Sequence, residues 1–89
     1  MGYNELRSWE EVFSDVSCVR VMLYLAKYNP NRHAEEISKK LSLSKNEVGI
    51  SINKLMEANM INMENDSFTL KNSALIGLNN FVELTNLKL

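Results

Sequence analysis

Enzymatic chemistry has little to build on in this sequence. No nucleophile stands at a spacing that pairs it with a base, no His/Cys/Asp/Glu run has the spacing of metal ligands, and no glycine-rich phosphate loop is present. Neither catalysis nor a cofactor or metal is expected. The one cysteine, Cys18, falls between apolar positions and reads as an inert half-buried thiol. The one histidine, His33, reads as the first residue of a helix. What remains is a group of amides, ammonium groups and one aliphatic side chain at helical spacing. Steps of 100° from Val48 put Asn46, Ile50, Asn53, Lys54 and Glu57 on the opposite, outward face. Amides donate and accept hydrogen bonds and ammonium groups attract anions, so the chemistry is that of a recognition surface.

The element carrying this face opens at Ser44-Lys45-Asn46-Glu47, an S-x-x-E capping box, and runs to about Asn59 with Val48, Ile52, Leu55 and Met56 inward. A shorter helix over about 33–41 precedes it, with Ala34, Ile37 and Leu41 inward, Glu35 and Glu36 in its first turn and Lys39 and Lys40 in its last. Leu41-Ser42-Leu43-Ser44 is the turn between the two. Upstream, Leu6, Trp9 and Phe13 imply a leading helix near 4–13. Val16, Val19, Met22, Leu23 and Ala26 continue the spacing in a main helix near 15–28, capped by Ser14-Asp15 and stopped by Asn29-Pro30-Asn31. Downstream, Met60–Glu64 and Ser67–Leu70 alternate through Ile61, Met63, Phe68 and Leu70 around an Asn65-Asp66 turn, which predicts a β-hairpin. Lys71–Leu89 returns to helix, capped by Asn72 or Ser73. Its apolar residues exceed one buried stripe, which predicts a homodimer through Leu75, Leu78, Phe81 and Val82, helped by Leu6 and Trp9.

The 89 residues are 45% hydrophobic and 24% charged, with a net charge of -1, as expected of one small domain. A single cysteine excludes an internal disulfide framework and a four-cysteine metal site within one chain. The longest apolar run, Val21–Ala26, is short, and Glu5, Arg7, Glu10 and Glu11 occupy the place of a signal peptide's apolar stretch, so a cytoplasmic protein without membrane contact is expected. Twelve asparagines are scattered along the chain and read as coding bias rather than chemistry.

The run from Arg32 through Val48, followed by Leu55-Met56-Glu57-Ala58-Asn59-Met60-Ile61, resembles the winged helix-turn-helix of small prokaryotic regulators of the ArsR and MarR type. The resemblance covers about 15–70 and implies a mainly α fold with a small β-hairpin wing. It departs at Asn59, where the family often has glycine, and it lacks the cysteine-rich motif of metal-responsive relatives. It implies a homodimer that binds double-stranded DNA and regulates transcription, with Lys45, Asn46, Gly49, Ile50, Asn53 and Lys54 at recognition positions. Arg32, Lys39 and Lys40 add to the docking face, and the segment 32–54 is net +2 within a chain that is net -1. The same fold also serves as a protein-interaction module, in which Ile50 and the apolar last helix would meet a partner.

Overall fold

Side-chain caps decide where three of the helices begin in a computed structural model that describes residues 8–27 and 32–85. Ser8 stands extended at φ -79°, ψ 156°, and exchanges hydrogen bonds with Glu11 in a capping box that starts α1 (Trp9–Phe13). The start expected near residue 4 is therefore corrected to Trp9. Ser8-Trp9-Glu10-Glu11 was a legible S-x-x-E signal that the spacing of Leu6 obscured. Asp15 starts α2 (Val16–Lys27): its Oδ1 accepts from the Cys18 N–H at 3.2 Å and its carbonyl from Val19 at 3.0 Å. The box at Ser44 and Glu47, with both bonds at 3.0 Å, starts α4 (Lys45–Glu57).

Between them lie β1 (Arg32–His33) and α3 (Ala34–Leu41). The α3–α4 turn is tight because Ser42 adopts a left-handed conformation (φ 55°, ψ 40°), with its own N–H and that of Leu43 returning to the Ser38 carbonyl. The Ser38 hydroxyl closes the turn on the Leu43 carbonyl at 2.6 Å. At the end of α4, Asn59 takes φ 60°, the Met60 N–H reaches the Leu55 carbonyl at 2.9 Å, and the Lys71 ammonium binds the Asn59 side-chain oxygen. Asparagine thus fills the left-handed position that glycine would otherwise occupy.

β2 (Ile61–Glu64) and β3 (Ser67–Leu70) form an antiparallel hairpin pairing Ile61 with Leu70 and Glu64 with Ser67. Its two-residue turn holds Asn65 and Asp66 at φ 51° and 66°, the geometry of a type I′ turn. β1 adds to β3, giving the order β1-β3-β2, with Arg32 opposite Phe68 and His33 opposite Ser67. A two-residue strand has no periodicity to betray it. α5 (Asn72–Thr85) follows, and the Lys71 carbonyl accepts its first bond from Leu75, so the cap falls on Lys71 rather than on Asn72 or Ser73. The expected continuation to Leu89 lies outside the described residues. The chain is mainly helical with a small antiparallel hairpin, and no described helix is long and apolar enough to cross a membrane.

Half of α2 is interior: Cys18, Val19, Val21, Met22, Tyr24 and Leu25 are buried with Val12, Ile37, Val48, Ile52, Leu55, Met60 and Phe68. Ala34 and Met56, expected inward, are not, and Val16 and Met63 of the apolar patterns are exposed as well. Ala34 is exposed at the first position of α3, Val16 is 74% exposed at the start of α2, Met56 is 42% exposed on the flank of α4, and Met63 is 52% exposed near the hairpin tip. Each stands at an end or edge of its element, where the apolar period continues past the reach of the core.

Part of the apolar surplus on α5 is taken up inside the chain. Ala74 and Leu78 are buried, and Phe81 and Val82 pack on the same core. Phe81 stacks on Phe13 with ring centroids 4.7 Å apart, and Trp9 meets Phe13 edge-on and donates from Nε1 to the Ala58 carbonyl at 3.0 Å. Trp9, Leu78, Phe81 and Val82, expected between two copies, are therefore engaged within one chain: Leu78 is buried and the other three pack, partly buried, on the same core. Leu75 is half-buried, and Leu6 lies outside the described residues. Outward on α5 stand Ile76 and Leu84, 63% and 87% exposed.

Gly77 makes room for Trp9 of α1 against α5: a Cβ there would lie 2.6 Å from Trp9 Cζ3. In an open helix, Gly→Ala gains up to about 1 kcal/mol. Gly77→Ala is expected instead to lower the melting temperature and shift Trp9 fluorescence, as the indole is pushed from its carbonyl partner. A stabilised variant with unchanged emission would contradict this packing.

Candidate functional site

The inner face of α4 fixes its outer face. Val48, Ile52 and Leu55 are buried, as is Ser51, whose carbonyl lies 3.9 Å from the Cys18 thiol on α2. With that side anchored, Lys45, Asn46, Gly49, Ile50 and Asn53 all point away from the core and are exposed, Ile50 by 50%. Nothing lies within 4 Å of a Cβ built on Gly49, so this glycine answers no packing demand inside the chain. The Asn53 amide donates to Glu57 Oε2 at 3.3 Å, one turn on. Asn46 has no hydrogen-bond partner among the described residues.

Lys54 departs from the expected set. Its ammonium sits 2.5 Å from Asp15 Oδ2, with the two side chains 29% and 25% exposed, so it ties α4 to the N-terminus of α2 instead of facing out. The physical reason is its place at the edge of the outward arc, where α2 approaches. The Lys54 hydrogen bond holds the Asp15 carboxyl below the usual carboxylate range. The backbone N–H groups of Cys18 and Ser17 add to this and partial burial opposes it. The Glu47 carboxyl is also held low, by the backbone N–H and then the hydroxyl of Ser44, with a smaller contribution from the Arg20 charge.

The cations around this face are unevenly engaged. Lys39 and Lys40 are exposed on the last turn of α3. Lys45 lies 4.0 Å from Glu35 with both side chains well exposed, a contact of little energy in water. Of Arg32 only the backbone pairing belongs to the described structure. Arg20, which the sequence did not single out, donates to the Leu41 carbonyl at 2.6 Å, placing a cation at the C-terminus of α3 beside the turn. An exposed arginine within an otherwise apolar helix carries no periodic signal, so only coordinates reveal this role.

The hairpin tip is acidic. Glu64 and Asp66 are exposed there, and the His33 ring nitrogen Nδ1 lies 3.0 Å from the Asp66 carbonyl, joining the tip to the start of α3. Among the described residues no group of three or more His, Cys, Asp or Glu could hold a metal ion. No protein-family model, curated protein or solved structure matches the chain.

Two stability measurements check this geometry. Asn caps as well as Asp does, so Asp15→Asn removes the charge while keeping the cap. A depressed carboxyl contributes stability above its unfolded pKa of about 3.9 and loses it as pH falls through the folded value. The variant should be less stable on the order of 1 kcal/mol near pH 7, and urea titrations should show the gap closing below about pH 4. A gap independent of pH would refute the ionic role. Gly49→Ala should raise stability by about 1 kcal/mol in thermal melts, since the added methyl meets only solvent.

Proposed function

We propose that this chain is a winged helix-turn-helix protein that binds double-stranded DNA and regulates transcription. The observation that carries the reading is the open outward face of α4, presented after a tight left-handed turn and held from behind by the core and by Asp15. An α-helix fits the major groove, where amide, aliphatic and ammonium side chains meet base edges and phosphates. Asn46, Gly49, Ile50 and Asn53 form the part of the face that reaches bases. Lys39, Lys40 and Lys45 flank it toward the phosphates, and Lys54 is reassigned to the scaffold. The acidic tip, Glu64 and Asp66, repels phosphate, so α3 and α4 carry the contact more than the hairpin does.

A homodimer would set two such helices in major grooves about 34 Å apart and read a near-palindrome. With Trp9, Leu78, Phe81 and Val82 engaged inside the chain, that pairing draws on Ile76 and Leu84. A second reading, docking of a protein partner, is favoured by one observation: Ile50, Met56 and Met63 are all large, apolar and at least 42% exposed.

Anisotropy titrations of labelled duplex against salt separate the two. Three phosphate contacts per subunit give a log K against log salt slope of about -5 for a pair of subunits and about -3 for one. Lys45→Glu should weaken binding and flatten the slope without changing the melting temperature. Micromolar affinity absent even at low salt, with the wild-type protein folded, would transfer the face to a protein partner.

A further inference from the structure

Three of the four charged residues of α4 are hydrogen-bonded within the chain, and the fourth, Lys45, stands at its first position. Lys54 is bound to Asp15, Glu47 to the Ser44 backbone, Glu57 to Asn53, and Lys45 at the first position lies beside Glu35. Guanine is best read by arginine or lysine, and cytosine by a carboxylate accepting from its amino group. Neither reader is free along the middle of this helix. What the middle offers outward is neutral: Asn46, Gly49, Ile50 and Asn53.

From this juxtaposition we infer that α4 specifies an A·T-rich half-site, with Asn46 and Asn53 on adenines and Ile50 on a thymine methyl. The inference rests on the DNA-binding reading above and names the bases that reading leaves open. Asparagine matches adenine because its oxygen accepts from N6 while its amide donates to N7, and an aliphatic side chain packs on the C5-methyl of thymine. The bond from the Asn53 amide to Glu57 uses one of its two N–H groups and leaves the oxygen and the other N–H for the base. At 100° per residue the three side chains fall within about 60° of arc. At 1.5 Å per residue Asn46 and Asn53 stand about 10 Å apart along the axis, or roughly three base-pair steps. Gly49, lying between them with open space where a Cβ would be, lets the backbone approach the base edges.

The test is selection of bound fragments from random duplex DNA with the wild-type protein, followed by base-analogue substitution in the selected duplex. The expected motif has a core of three to four A·T pairs. Replacing its thymines with deoxyuridine should weaken wild-type binding about fourfold, the worth of one buried methyl, while leaving Ile50→Ala unaffected. Replacing adenine with 7-deazaadenine should cost the wild type about 5- to 150-fold, and Asn46→Ala or Asn53→Ala should each lose sensitivity at one position. A selected core of G·C pairs, or equal sensitivity of the variants to the analogues, overturns the base assignment while DNA binding stands. Recovery of no motif, with no duplex affinity, overturns the DNA-binding reading itself.

Discussion

The ionic contact between Lys54 and Asp15 is the constraint on which the presentation of α4 depends. Asp15 uses one oxygen to cap α2 and the other to hold the Lys54 ammonium, so a single carboxylate both starts the central helix and ties to it the helix packed against it. Buried Val48, Ile52 and Leu55 supply most of the attraction between α4 and the core, but apolar contact is non-directional. A short, partly buried, hydrogen-bonded pair is directional. It pins the edge of α4 to the start of α2 and so locks the orientation that the buried stripe sets, and it does so from a residue that helical spacing alone assigns to the outward face.

Where a local rule decides, the sequence is a good guide. The capping box at Ser44, the stop at Asn59, the Asn65-Asp66 turn and the buried stripe of Val48, Ile52 and Leu55 all stand where side-chain chemistry puts them. Long-range contacts are another matter. Periodicity places an apolar residue on a face without saying what that face meets, so the apolar residues of α5 looked like a surface for a second copy. In the fold Ala74, Leu78, Phe81 and Val82 join the chain's own core, with Phe13 stacked on Phe81, while Ile76 and Leu84 stay exposed. Lys54 misleads for the same reason, since its partner is 39 positions away. The strand at Arg32–His33 is too short for any pattern, and it exists because β3 has an edge to offer it.

Electrostatics around the outward face are balanced rather than strongly positive. Acidic first turns on α3 and α4, favourable to each helix dipole, set Glu35 and Glu47 beside the lysines that would attract an anionic partner. Helix stability and attraction to phosphate thus compete for the same turns. Selectivity would then come from the neutral side chains of α4 and modest affinity from the few exposed cations. In the DNA-binding reading we propose, such a surface favours discrimination over tight adhesion.

Four residues of the described chain, Ser42, Asn59, Asn65 and Asp66, adopt positive φ, and none is glycine, while Gly49 and Gly77 sit inside helices with ordinary φ. The usual allocation is inverted: tight turns are made by side-chain-bearing residues, and glycine provides clearance. Each such turn carries some backbone strain when folded, yet Ser, Asn and Asp explore far fewer conformations than glycine in the unfolded chain. The connections therefore surrender less disorder as they close. That saving offsets part of the strain of each turn, which matters in a chain with so little interior to hold it together.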